Sequence, residues 1–201
     1  MVLMCSVLAQ CDEPDYHKSA DYFPLREGFG WNYLFQIHYK YPDGVQETST
    51  DTATCVVKGD TVLNGLRYAM VIDENGSIWK AIRKEGSKFY GMNHELYSGF
   101  SKEYLFLDEE ATINTTWRHD KEASAYTEYK VTAVNTTRVV NGVTYDHVME
   151  MEVTYYGPDI GTRNGARHYY AKGVGEIYSF YPAGTLSNYV DMSYSLLKLI
   201  P

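Results

Sequence analysis

Long hydrophobic runs, cysteines and basic clusters are all scarce in this chain of 201 residues. No apolar stretch approaches the roughly 18–20 residues that a membrane-spanning helix needs, which excludes such a helix but not attachment by another route. Lys and Arg number 18 against 26 Asp and Glu, for a formal net charge of -8. The basic residues form no stripe, so nucleic acid has no electrostatic footprint here and is excluded as a partner. Short motifs that announce chemistry are missing as well: there is no G-x-S-x-G elbow, Gly-rich phosphate loop, C-x-x-C pair or EF-hand loop. The six histidines, at 17, 38, 94, 119, 147 and 168, fall in no metal-ligand spacing, so neither a metal nor a cofactor is expected.

What is abundant is tyrosine, 20 residues or about one in ten. Tyr suits a pleated, half-buried surface and, with its apolar ring and polar tip, also suits recognition. A content of 44% hydrophobic residues supports a packed core, and the length is ordinary for one β-domain.

The pattern along the chain agrees. Trp31, Tyr33, Phe35, Ile37 and Tyr39 alternate with polar residues, as in a strand with one buried face. Tyr41-Pro42-Asp43-Gly44 reads as a turn that returns the chain over 45–58. Asn-Gly, the dipeptide suited to type I′ hairpin turns, occurs at 64, 75, 141 and 164, and hairpins are predicted at the first three. Asp73-Glu74-Asn75-Gly76 looks superficially like a calcium loop, but the strand pattern after it favours the hairpin. After Asn141-Gly142, the residues Val143, Tyr145, His147, Met149, Met151, Val153 and Tyr155 alternate with polar ones, which puts His147 on the apolar face. Further strands are expected near 66–72, 78–84, 87–92, 125–135, 166–172, 174–181 and 186–199, with residues 93–110 the one stretch able to hold a short helix or long loop.

The expected fold is therefore mainly β: a single antiparallel domain of about ten strands, curved into a half-barrel or barrel, with at most one short helix. An internal echo adds two similar meander halves as one arrangement. Residues 61–68, TVLNGLRY, are matched by 138–145, RVVNGVTY. Lys88-Phe89-Tyr90 is matched by Arg167-His168-Tyr169, while Trp31 and Trp117 each open a half. The competing reading is a favoured hairpin sequence used twice; under either, both segments are hairpins of one type.

Residues 1–10, MVLMCSVLAQ, carry no charge and resemble the back half of a secretory signal. Leu8-Ala9-Gln10-Cys11 resembles a bacterial lipobox, in which the cysteine becomes the lipidated first residue, although Gln10 stands where that pattern has Gly, Ala or Ser. The acids that follow, Asp12, Glu13 and Asp15, are similar to the tract after the lipidated cysteine of surface-exported Bacteroidetes lipoproteins. The expected division is a signal remnant over 1–10, a lipidated tether over 11–21 and the β-domain over 22–201. A frayed terminus with an incidental cysteine is the alternative. With Cys5 removed and Cys11 acylated, Cys55 would be left alone and unpaired, as a small buried residue.

Two further segments carry a resemblance. Tyr22-Phe23-Pro24-Leu25-Arg26-Glu27-Gly28 with Trp31 and Tyr33, and Tyr169-Tyr170-Ala171-Lys172-Gly173-Val174-Gly175-Glu176-Ile177, resemble paired signatures of a large group of uncharacterised secreted lipoproteins of the Bacteroidetes. The resemblance implies export to the outer membrane, on its periplasmic or cell-surface face. By analogy it implies a curved sheet of the lipoprotein-carrier type (LolA and LolB) or a lipocalin-like barrel able to enclose an apolar ligand. Asp51-Thr52-Ala53 and Asp60-Thr61-Val62 resemble the O-glycosylation pattern of exported proteins of that phylum.

The function expected from these readings is non-enzymatic: an envelope protein held to a membrane by lipid, binding an apolar small molecule or a partner protein. Candidate ligand-binding residues are Tyr145, His147, Met149, Tyr155, Tyr169 and Tyr178, drawn from the two-faced strand after Gly142 and from the aromatic strands near the carboxyl end. A surface glycan-binding protein using exposed aromatic rings is the alternative. A hydrolase comes third, since no arrangement of residues supports it and the acidic run Asp108-Glu109-Glu110 has a solvated loop as its default.

Overall fold

The computed structural model describes residues 21–95, 99–122, 125–157, 161–184 and 189–200. The expected signal remnant, and Cys11 with nearly all of its tether, lie outside the described residues. Thirteen strands account for most of the rest: β1 (Gly30–Lys40), β2 (Gln46–Leu63), β3 (Leu66–Asp73), β4 (Ile78–Glu85), β5 (Lys88–Glu95), β6 (Gly99–Phe100), β7 (Tyr104–Asp108), β8 (Thr116–Glu122), β9 (Ala125–Val140), β10 (Val143–Gly157), β11 (Gly161–Ala171), β12 (Gly175–Gly184) and β13 (Tyr189–Ile200). The fold is mainly β, as its alternation and turn residues indicate. Residues 93–110 hold β6 and β7 rather than a helix, and Trp117, read as opening the second half of the echo, lies in β8.

Hydrogen-bonded neighbours run β6-β5-β4-β3-β2-β1-β13-β12-β11-β10-β9-β8, with β7 also paired to β5, and every pairing is antiparallel. Along that path adjacent strands are consecutive in sequence except β1 and β13, so the first and last strands of the described chain meet in the middle of the sheet. The sheet curls until it is nearly closed into a barrel. Its seam falls between β7 and β8, where Trp117 Nε1 donates to Leu105 O at 3.0 Å. A barrel of about eight strands is just filled by its own side chains, and one with this many leaves interior space.

Both hairpins of the internal echo use the same turn. Asn64 and Gly65 have φ of 52° and 79°, and Asn141 and Gly142 have 49° and 80°, the paired left-handed conformations of a type I′ turn. The third hairpin forms but with a different turn: only Gly76 is left-handed, and Asp73 Oδ1 accepts from the amides of Asn75 and Ser77. The second echoed pair does not occupy equivalent strands. Lys88-Phe89-Tyr90 lies in β5, two strands beyond β3, whereas Arg167-His168-Tyr169 lies in β11, one strand beyond β10.

The two signature segments meet each other and close one end of the barrel. Trp31, fully buried, donates Nε1–H to Val174 O at 2.6 Å, and Tyr33 donates its hydroxyl proton to Glu176 O at 3.0 Å. Gly175, at φ 106°, leaves room for the indole, since a Cβ there would stand 2.5 Å from Trp31 Nε1. Residues 21–25 lie across the same end. The Gly173 amide donates to Asp21 O at 2.8 Å, Lys84 Nζ pairs with Asp21 and Glu109, and Lys172 Nζ sits over the Tyr22 ring. Phe23 fills the space beneath, its ring 4.9 Å from that of Trp31 and 5.7 Å from that of Phe106. Burying such rings is worth about 2–3 kcal/mol each, which accounts for aromatic and glycine residues in both segments without any chemistry.

Candidate functional site

Above this plug the barrel is hollow. A cavity of about 720 Å³ is lined by residues from both sides of the seam: Trp79 and Lys80 on β4, Tyr104 and Phe106 on β7, His119 on β8, Thr127 and Tyr129 on β9, Tyr155 on β10, His168 and Tyr170 on β11, Glu176 and Tyr181 on β12. A second cavity of about 430 Å³ continues toward β1, β2 and β13 and shares Trp79, Glu176 and Tyr181 with the first. Inward parity supplies the lining from β9 and β11. In β9, Thr127, Tyr129 and Val131 face in while Glu128 and Lys130 face out; in β11, Ala166, His168 and Tyr170 face in while Arg167 and Tyr169 face out.

The lining is aromatic but not oily. Burial pushes the phenols of Tyr129, Tyr170 and Tyr181 well above their ordinary value and raises that of Tyr155, and the Glu176 carboxylate adds to each. These hydroxyls therefore stay neutral and can both donate and accept hydrogen bonds. His168 Nδ1 lies 2.6 Å from Glu176 Oε1, and its ring stands edge-on to Tyr181 at 5.1 Å. Thr127 Oγ1 and His168 Nε2 are buried without a hydrogen-bond partner. Among the described residues no group of three His, Cys, Asp or Glu side chains gathers as around a metal ion.

Of the residues singled out from the sequence, Tyr155 lines the larger cavity. Met149 is packed in the core and Tyr145 lies partly buried against it. Tyr169 and Tyr178 face outward as a cross-strand pair with ring centroids 5.2 Å apart, under the guanidinium of Arg138. The inward position read for His147 from strand parity is not observed. His147 is exposed in a left-handed conformation, φ 53°, with Nδ1 2.5 Å from Oδ1 of Asn135, itself left-handed. The β9–β10 register shifts beside them between Tyr145 and Val148, and twice more by Met151, so that Val148, Met149, Glu150 and Met151 are all buried in succession. Irregularities of this kind re-aim side chains and break the period of two. Cys55 is a free buried thiol, pushed up to about 12 by burial first and then by Glu74, Asp73 and Glu176.

His168, Tyr170, Glu176 and Tyr181 were missed as cavity residues, and a signal for two of them was present. Arg167 marks the solvent face of its strand, which leaves His168 and Tyr170 on the other. For Glu176 no such signal existed, because a bulge between Tyr169 and Tyr170 sets its direction.

No protein-family model and no curated protein sequence matches the chain. Among solved structures it is similar to a protein inferred to be exported, with a YmcC-like fold, from Bacteroides fragilis: 12% identity, TM-score 0.45, covering 90% of this chain and 99% of that one. It is also similar to a protein inferred to be a lipoprotein from Parabacteroides distasonis, at 13% identity and TM-score 0.42 with the same coverage of each chain. A LolA superfamily protein from Nitrosomonas europaea is similar at 10% identity and TM-score 0.20, over 92% of this chain and 91% of that one.

Proposed function

We propose that this chain is a non-enzymatic binding barrel, held at the cell envelope through lipid on Cys11, that encloses a small amphipathic molecule. The observation that carries the reading is the cavity of about 720 Å³ behind a plugged end. Its size is that of small-molecule sites, which lie at roughly 300–1,000 Å³. Its lining of phenol rings offers apolar faces with hydroxyls between them, suiting a ligand that is neither a bare hydrocarbon nor fully polar. The outward aromatic rings support surface glycan stacking less well. Tyr169 pairs with Tyr178 and Tyr126 with Tyr156, and Arg118 covers Tyr126.

Titration with N-phenylnaphthylamine, an uncharged two-ring probe, should give a saturable fluorescence rise at one site. Thr127→Phe, which pushes a ring into the cavity from β9, should weaken that binding about tenfold while the protein still melts cooperatively. Absence of saturable binding, or undiminished binding in a folded Thr127→Phe protein, refutes the enclosed site. The anchor is tested separately: a fatty-acid analogue should label wild type in cells and leave Cys11→Ala unlabelled, and equal labelling refutes it.

A further inference from the structure

One cation in the cavity stands apart from the others on its strand. Arg83 is bound by Glu103 and Glu85, and Lys84 by Asp21 and Glu109. Lys80, on the same strand and half-buried, forms no ion pair with any carboxylate among the described residues. Its ammonium lies over aromatic rings instead, 3.9 Å from the Phe106 centroid and 5.2 Å from that of Tyr104. The neighbouring strand is shaped to let it reach there. Gly91 on β5 has an ordinary backbone conformation, yet a Cβ at that position would stand 2.6 Å from Lys80 Cε and 3.2 Å from Phe106 Cδ1. A side chain at 91 would thus turn the lysine out of this course, and the turn of the chain makes no demand for glycine there.

The charges of the cavity are also segregated. Lys80 on β4 and Lys102 just before β7 line the side near the seam, together with His119 on β8. Glu176 stands on β12, several strands away around the barrel, and is engaged by His168. Asp73 and Glu74 line only the smaller cavity.

We propose that the ligand of the larger cavity is an anionic amphiphile whose acid group pairs with the Lys80 ammonium while its apolar body lies among the Tyr129, Tyr155 and Tyr181 rings. This rests on the enclosed-cavity reading and specifies its ligand class. An ammonium on ring faces has its hydration partly removed and keeps directions free for an anion, so a charge-assisted contact there is strong. A cationic amphiphile would meet Lys80 and Lys102 as like charges.

Two probes with one ring system separate the claims: N-phenylnaphthylamine, which is neutral, and anilinonaphthalene sulfonate, which adds one anionic group. The sulfonate is expected to bind wild type about tenfold more tightly than the neutral probe, the scale of one added charge-assisted contact. That preference, taken in each protein as the ratio of its two affinities, should shrink with added salt, vanish in Lys80→Gln, persist in Lys80→Arg and fall in Gly91→Ala. Saturable binding of both probes with equal affinity in wild type overturns the anionic ligand and leaves the binding barrel standing. A sulfonate preference that survives Lys80→Gln overturns the assignment to Lys80. If neither probe binds saturably, the enclosed cavity and this inference fall together. The wild-type comparison and its salt dependence need no variant, so a Lys80 substitution that fails to fold does not rescue the claim.

Discussion

Adding one methyl group at Gly175 should cost several times what it costs at Gly28. Both glycines have positive φ, 106° and 83°, so alanine at either pays a backbone penalty of about 1–2 kcal/mol. At Gly28 a Cβ meets nothing within 4 Å, and the penalty ends there. At Gly175 the Cβ would stand 2.5, 2.9 and 3.1 Å from Nε1, Cε2 and Cζ2 of Trp31, so the indole must move. Trp31 is fully buried and donates to Val174 O at 2.6 Å, so displacement loses that bond as well as packing. An orphaned buried donor costs about 1–3 kcal/mol and overpacking about 1–3 more, for an excess at Gly175 of roughly 2–6 kcal/mol. In a chain of this size each kcal/mol shifts Tm by about 2–4 °C. Gly175→Ala should therefore melt about 4–24 °C below Gly28→Ala by thermal scan, with urea midpoints moving the same way. In a Trp31→Phe background, which removes Nε1 and part of the crowding, the excess should largely disappear. Equal costs at the two glycines, or additivity of Gly175→Ala with Trp31→Phe, would refute the interlock between the two signature segments.

Three other expectations follow from particular contacts. Burial works against the charge on Glu103, but hydrogen bonds from Arg83, at 2.6 and 2.9 Å, and from Tyr68 outweigh it and hold the carboxyl below its ordinary 4.5. A depressed carboxyl contributes stability that is complete above the unfolded value and lost as pH falls through the lower folded one. For a partly exposed pair this is about 1 kcal/mol, so Glu103→Gln should flatten the drop in urea midpoint below pH 4.5, and an unchanged drop contradicts the assignment. Cys55, with its thiol pushed up to about 12, should resist alkylation at pH 8 in the native state and react once denatured, as followed on its own peptide by mass spectrometry; fast native labelling refutes its burial. His147→Gly relieves a left-handed residue and loses one exposed contact, so stability should change by no more than about 1 kcal/mol, against about 2–5 for Met149→Ala at the core. A loss at 147 as large as at 149 would return His147 to the inner face.

How much of this was legible in the sequence depended on whether strand parity survived. Trp31, Tyr33 and the type I′ hairpins at Asn64-Gly65 and Asn141-Gly142 were readable because local chemistry decides them: alternation sets the face, and Asn-Gly accepts the left-handed turn. In β10 the same alternation misplaced His147, because two left-handed residues, Asn135 and His147, face each other and shift the register. Nothing in the composition of β10 marks that shift. The run of 93–110 was ambiguous for another reason: β6 and β7 are too short to show a period, and their pairing with β5 is a property of the closed sheet.

The cavity was hidden in a different sense. The segments with the most recognisable sequence, residues 22–33 and 169–177, are spent largely on closing the barrel, with Trp31, Val174 and Gly175 fixed by mutual packing. A lock of this kind restricts residue identity tightly and so stands out in a sequence, whereas a hollow wall needs only inward residues of suitable size and polarity. Lys80, Tyr104, Tyr129 and Tyr155 come from four strands and are joined only by the curvature of the sheet. Gly91 is the exception that links the two regimes: an isolated glycine inside a strand with no special φ, it marks a close approach, and what approaches is the lysine of the cavity wall. The contrast is Gly30 in β1, whose missing Cβ makes room for the β2 backbone, 2.5 Å from Cys55 O, so a strand glycine points at the binding site only where the atom it admits belongs to a lining side chain.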